Sequence, residues 1–322
     1  MASIKFGLTL PQRGVFFGIA SWPEMLAMAR EADALPTFDS VWVGDSVMAK
    51  PRPESIALLG ALSAATSRVK LGVGCMASFP IRDPIVFAYQ WATLDLISNG
   101  RMILAACTGI VAGGVSAREG GVWNVPDTQR GARMAENIEI CRRLWREDNV
   151  AYSGKFRSFQ DVTISPRPVQ KPCPIWIAAN PPPPQSEFAM RRVARIADGW
   201  MSVNIFPGMF SALWKSLGGY LVEEKKDPAA FPNIAYHNIN IGPDRAAALE
   251  ESKRFLDQYY GPVFSPAMVE AWTAAGTPDE CAAHLRALVA AGAKSIALRI
   301  TSWDQPGNFA RLVADVIPRV LA

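Results

Sequence analysis

What most constrains this chain is a repeated change of period. Eight short runs rich in apolar or β-branched residues alternate with longer stretches of helical spacing. The runs are Ile4 to Leu10, Ser40 to Val43, Val69 to Cys75, Arg101 to Cys107, Pro174 to Ala178, Trp200 to Val203, Ile234 to Ile241 and Ser295 to Ile300. In the stretches between, Met134, Ile138, Cys141 and Trp145 return every three or four positions, as do Phe309, Val313, Val316 and Val320. Each such stripe needs a sheet to cover it. A strand followed by a helix joins parallel strands through right-handed crossovers, and eight such units close on themselves. The turn after the first run reads Pro11-Gln12-Arg13-Gly14, without the glycine pattern a doubly wound dinucleotide-binding sheet requires. The expectation is an α/β chain folded as a single (β/α)8 TIM-type barrel over 1–322, with insertions at about 150–166 and 261–276.

Helix starts are marked chemically. Ser21-Trp22-Pro23-Glu24 and Thr277-Pro278-Asp279-Glu280 each offer a capping hydroxyl, an early proline and a Glu three residues after the cap. The segment Val150 to Ile164, with Gly154 and the aromatics Tyr152, Phe156 and Phe159, reads as a hairpin.

Charge narrows the possible functions. The 33 Lys and Arg against 29 Asp and Glu leave a net charge of +4, too small for a partner bound through a dense basic face, so neither nucleic acid nor a membrane surface is expected. The uncharged stretch from Met102 to Ala117 is too short for a spanning helix and holds three glycines, Gly109, Gly113 and Gly114. The first ten residues carry no long apolar run, so a cytoplasmic location is expected. The five cysteines are scattered and only two histidines are present, so no metal site is expected.

In a barrel the active site is assembled from the loops after the C-terminal strand ends. In order these offer Gln12, Phe16 and Phe17; Asp45, Ser46 and Met48; Met76 and Phe79; Thr108, Gly109 and Ile110; and Asn180. The rim is mostly apolar, with no Ser-His-acid set and no close carboxylate pair. Such a mouth suits an organic cofactor that brings the chemistry while the protein supplies shape and dryness. His237 lies in a strand pattern that leaves both the lumen and the helix layer open to it, and His284 is expected at the surface. Asp95, Arg101 and Asp198 are expected to hold turns together.

Several blocks occur in a telling order: Phe38-Asp39-Ser40-Val41-Trp42-Val43-Gly44-Asp45, Ala64-Ala65-Thr66-Ser67-Arg68-Val69-Lys70-Leu71-Gly72, Ala92 to Arg101, Pro166-Arg167-Pro168-Val169-Gln170-Lys171-Pro172, Ala197-Asp198-Gly199-Trp200 and Gly276-Thr277-Pro278. Together they resemble the bacterial luciferase-like flavin-dependent oxidoreductases, which are barrels of this class. That resemblance implies one of two carriers, reduced FMN with oxygen or a deazaflavin that carries hydride. In the deazaflavin branch the acid matching Asp45 is commonly followed by a histidine, where this chain has Ser46. Cys107-Thr108-Gly109 is similar to the step that closes strand 4 in FMN monooxygenases acting on sulfonates and pyrimidines.

The expectation is therefore reduced FMN, supplied by a separate flavin reductase, reacting with O2 to oxygenate a small organic substrate in a homodimer. A deazaflavin-dependent reductase or dehydrogenase is the alternative, and a non-catalytic flavin-binding partner subunit is a third. Asp45, Ser46 and Thr108 are the catalytic candidates. The resemblance places Cys75, Met76, Thr108, Gly109, Arg130, Gly131, Asn180 and Ser186 against the cofactor, and Phe16, Phe17, Met48, Phe79, Trp123 and Phe206 are the candidate substrate walls. Four prolines follow Asn180 and donate no N–H, so phosphate binding there falls to Asn180, Gln185, Ser186 or the next helix start.

Overall fold

The structure is a computed structural model that describes residues 4–109, 115–179 and 185–322. Its strands in chain order are β1 (Lys5–Thr9), β2 (Phe38–Val43), β3 (Lys70–Met76), β4 (Met102–Ala106), β5 (Val150–Ser153), β6 (Ser158–Val162), β7 (Ile175–Ala178), β8 (Gly199–Val203), β9 (Asn233–Ile241), β10 (Thr273–Gly276) and β11 (Ser295–Ile300). The helices are α1 (Trp22–Ala34), α2 (Ser55–Ala65), α3 (Pro84–Ile97), α4 (Val115–Trp123), α5 (Asp127–Leu144), α6 (Gln185–Ile196), α7 (Pro207–Glu223), α8 (Arg245–Tyr260), α9 (Pro266–Ala271), α10 (Pro278–Ala290), α11 (Gln305–Arg311) and α12 (Ile317–Leu321).

All eight expected runs form strands, and they close into a parallel barrel. The order is β11-β1-β2-β3-β4-β7-β8, and β9 completes the ring by pairing with both β8 and β11. Both expected capping boxes form: Ser21 Oγ accepts from the Glu24 amide at 3.3 Å while Glu24 accepts from the Ser21 amide at 2.7 Å, and Thr277 and Glu280 repeat the exchange. The first insertion is the antiparallel pair β5–β6, with Tyr152 stacked on Phe159 at 5.8 Å between ring centres. The second holds more order than the sequence suggests, since it carries α9 and the extra strand β10. The nine-residue β9 outruns β8: its first half pairs with β8, and its free second half pairs with β10 from Asn238 to Ile241.

Strand alternation sorts the side chains. Along β9, Ile234 and Tyr236 enter the lumen cluster, whereas Ala235, Ile239 and Ile241 join the core between barrel and helices. The lumen is filled by Trp42 and Trp176, whose rings lie 6.1 Å apart, together with Met201. Glycine is required opposite them: a Cβ on Gly72 would overlap the Trp42 ring, and one on Gly199 would come within 2.5 Å of Trp176. The lower end is tied by the turn-holding groups expected from sequence. Arg101 donates to Thr66 Oγ1, Ser63 O and Val69 O, Asp95 accepts from the Gln170 amide, and Asp198 accepts from the Ile175 amide and pairs with Arg142. This end is spent on stability, which leaves the opposite mouth for function. Among the described residues no helix is long and apolar enough to cross a membrane.

Candidate active site at the C-terminal barrel mouth

The loops after β3 and β4 are joined by Arg130, from the first turn of α5. Its side chain is fully buried, and it donates through Nε to Thr108 O and through Nη2 to Ala77 O, each at 2.5 Å. Gly109 adopts φ +80°, and a Cβ there would press to 3.3 Å from Nη2, so the close approach depends on glycine. Arg130 Nη1 is buried without a hydrogen-bond partner. Next to it, Gly131 leaves room for Arg192 of α6, whose Nη1 would lie 2.7 Å from a Cβ at that position. Arg192 is half-buried, its pKa lowered by burial and by Arg195, and among the described residues no carboxylate pairs with it. Ser186 is half-buried in the first turn of the same helix, whereas Asn180 lies outside the described residues. Arg130 and Arg192, the latter over the Phe188 ring at 4.7 Å, each keep N–H groups without an acid partner, and such groups can donate to an oxyanion such as a phosphate.

Asp45 is buried and fully engaged by protein groups. It accepts from the Ser78 amide at 2.7 Å and Ser55 Oγ at 2.8 Å, and pairs with Arg82 at 3.3 Å. Ser46 Oγ donates to Glu119 of α4 at 2.8 Å and accepts from the Lys50 amide at 2.9 Å. Glu119 also takes the amides of Val47, Met48 and Ala49 at 2.7, 3.0 and 3.2 Å. Burial alone would raise the Glu119 pKa, but these donors outweigh it and hold the carboxylate ionised. Sequence reasoning missed Glu119, because its role exists only once α4 packs over the β2 loop.

A second group of charges, also missed, stands on the β11–β1–β2 side. Arg299 points into the lumen from β11, buried to 1% exposure, donates to Asn238 Oδ1 at 2.6 and 2.9 Å, and bonds to Tyr260 Oη. Tyr236, Tyr260 and Trp272 surround its guanidinium with ring centres 4.8–5.3 Å away. Lys50, also buried, sits 4.5 Å over the Tyr260 ring, and burial first, then Arg52, Arg13 and Arg299, push its pKa down to about 8. Burial would raise the Tyr260 phenol, yet Arg299, Arg52 and Lys50 together bring it below its ordinary value. Arg13 lies over Tyr259 at 5.2 Å and donates to Pro51 O, with its Nη1 buried and unpartnered. The sequence signal available was an arginine inside an otherwise apolar strand, and two cations, Lys50 and Arg52, within four residues of Met48.

The remaining candidates scatter. Cys75 and Cys107, at the ends of β3 and β4, share a hydrogen bond that lowers the Cys75 thiol and raises Cys107. Met76 is buried in the outer core. Phe79, expected on the rim, is instead fully buried against Phe87 at 5.1 Å, because the short 3-10 turn after β3 rotates it beneath α5. Phe17 is half-buried under Arg13 at 5.5 Å, while Phe16, Met48, Trp123 and Phe206 are exposed. His237 faces the helix layer, its Nε2 2.8 Å from Nε2 of His284, which is half-buried against it and not a surface residue.

Residues 4–295 match the family described as luciferase-like monooxygenase. An "F420-dependent glucose-6-phosphate dehydrogenase" of Amycolatopsis mediterranei is 26% identical over 316 residues, covering 88% of this chain and 90% of the relative. A protein of the same name from Microbacterium testaceum is 30% identical over 232 residues, covering 67% of this chain and 64% of its own length. In fold, the chain is similar to a monooxygenase from Streptomyces bottropensis (TM-score 0.79, 24% identity, 99% of each chain) and to an "F420-dependent secondary alcohol dehydrogenase" (TM-score 0.81, 18% identity, 99% of each chain). With the match spanning nearly its whole length, this flavin-type oxidoreductase chain belongs to the luciferase-like monooxygenase family.

Proposed function

We propose that the chain is a deazaflavin-dependent oxidoreductase acting on a small organic substrate. The observation that carries the reading is the Arg130–Arg192 donor set, which fits a phosphate-bearing carrier beside the Thr108–Gly109 turn and α6. The names of the sequence relatives favour deazaflavin over the FMN expected from the residues alone. A bound deazaflavin supplies hydride chemistry that no side chain here provides. The protein's part is binding and orientation. Arg130 and Arg192 hold the phosphate, with Ser186 on the same helix as Arg192, and Arg130 fixes the Thr108–Gly109 turn that positions the ring edge. Cys75 and Met76 shape the adjoining strand end, while Trp42, Trp176 and Met201 exclude water from below. Asp45 and Ser46 act as positioning groups: through Ser78, Glu119 and the Lys50 amide they fix the loop that presents Lys50. Phe16, Met48, Trp123 and Phe206 offer the exposed apolar walls.

Titration of the purified chain with the deazaflavin cofactor and with FMN, followed by fluorescence, tests this. Deazaflavin is expected to bind at least tenfold more tightly and to be reduced anaerobically by a member of an alcohol and sugar-phosphate panel. Tighter FMN binding with substrate-dependent O2 consumption overturns the reading in favour of the monooxygenase, for which Ser46 in place of a histidine speaks.

A further inference from the structure

We propose that Arg13, Lys50, Arg52 and Arg299 bind an oxyanion, carboxylate or phosphate, carried by the substrate, so that this enzyme acts on a small organic anion. The placement of the carrier on the opposite side rests on the proposed function.

The four cations come from three adjacent strand ends, β11, β1 and β2, and among the described residues none of them forms an ion pair with an Asp or Glu. Three are more than nine-tenths buried: Arg13 at 8% exposure, Lys50 at 7% and Arg299 at 1%. Like charges gathered out of water without an acid are costly, and an anion that enters between them removes the cost. The aromatic cage and Asn238 account for Arg299 on their own. They do not account for Arg13 Nη1, a buried donor with no acceptor, or for the Lys50 ammonium, whose shown partner is the Tyr260 ring. The surrounding Tyr236, Tyr259, Tyr260 and Trp272 keep water away, which strengthens the pull on a negative group.

Ring order separates this pole from the first. β11 and β4 stand half-way round the eight-strand barrel from one another, so an anion held at Arg299 is not the one held at Arg130 and Arg192. One pole takes the carrier's phosphate and the other is left for the second reactant.

Calorimetric titration of the full chain with sodium sulfate and with sodium acetate, beside a separate deazaflavin titration, tests the proposal. Three variants, Lys50→Gln, Arg52→Gln and Arg130→Gln, are compared after far-UV dichroism confirms that they fold. The expected result is saturable binding of sulfate or acetate that persists in Arg130→Gln and is weakened at least tenfold in Lys50→Gln, with deazaflavin affinity in Lys50→Gln changed less than twofold. Sulfate keeps its charge between pH 7 and 9, so wild-type affinity should fall over that range as Lys50, which faces Tyr260, Arg13, Arg52 and Arg299, discharges; the Lys50→Gln response should be flatter. Absence of anion binding, binding lost in Arg130→Gln, or binding unchanged in both Lys50→Gln and Arg52→Gln, overturns the proposal. A tenfold loss of deazaflavin affinity in Lys50→Gln and Arg52→Gln assigns the cluster to the carrier's own anionic tail and likewise overturns it. Sulfate binding that needs Lys50 in a protein indifferent to deazaflavin sustains the anion site and sinks the proposed function instead.

Discussion

The imidazoles of His237 and His284 meet Nε2 to Nε2 at 2.8 Å between β9 and α10, so one ring must donate and the other accept. Burial lowers both pKa values, His284 to about 4 and His237 well below its ordinary value; His284 also disfavours a charge on His237, and Arg245 one on His284. Because the unfolded chain binds these protons near pH 6.5 and the folded chain does not, stability is complete above pH 6.5 and declines as the pH falls towards 4. Urea unfolding at pH 7 and pH 5 should differ by up to about 2 kcal/mol for each ring. A His237→Leu/His284→Leu double variant should lose most of that dependence, and an unchanged slope would contradict the assignment.

Replacing Arg130 separates fold from cofactor. Arg130→Lys keeps a charge but cannot span Thr108 O and Ala77 O, and should weaken carrier binding about tenfold. Arg130→Gln, which also removes the charge, should cost up to about a hundredfold, on the scale of one charge-assisted hydrogen bond. Fluorescence titration checks both, and near-wild-type affinity in Arg130→Gln would place the phosphate elsewhere.

Gly72→Ala tests the packing of the lumen. The added methyl overlaps the Trp42 ring, and overpacking of this kind costs about 1–3 kcal/mol. Adding Trp42→Phe should recover part of the loss, because the two sites share one volume. Thermal unfolding of the single and double variants gives the comparison.

Glu119→Ala should free the loop from Val47 to Lys50. Four donors lose their shared acceptor, so a loss of about 1–3 kcal/mol and faster proteolytic cleavage in this loop are expected. Anion affinity at Lys50 should fall with it, although Lys50 itself is untouched.

The barrel was legible because its evidence is local. Each strand run and helical stripe records which residues face a common core, and the capping boxes at Ser21 and Thr277 lie within four consecutive residues. Strand β10 was missed because its four residues show no alternation, and it exists only where the longer β9 leaves an unpaired edge. Alternation could have placed His237 outward once Tyr236 and Asn238 were read as lumen residues, yet nothing in sequence spacing brings His284 against it across 47 positions.

The sequence by itself determined the strand–helix alternation, the closed ring and the resemblance that made a flavin-type carrier the expectation. Tertiary structure alone decided which side chains meet at the mouth. Arg13, Lys50, Arg52 and Arg299 come from distant parts of the chain, and closure of the ring through β9 and β11 brings their strand ends together. Hydrophobic periodicity is a property of neighbours along the chain, whereas the charge of a site depends on which loops the closed sheet sets side by side.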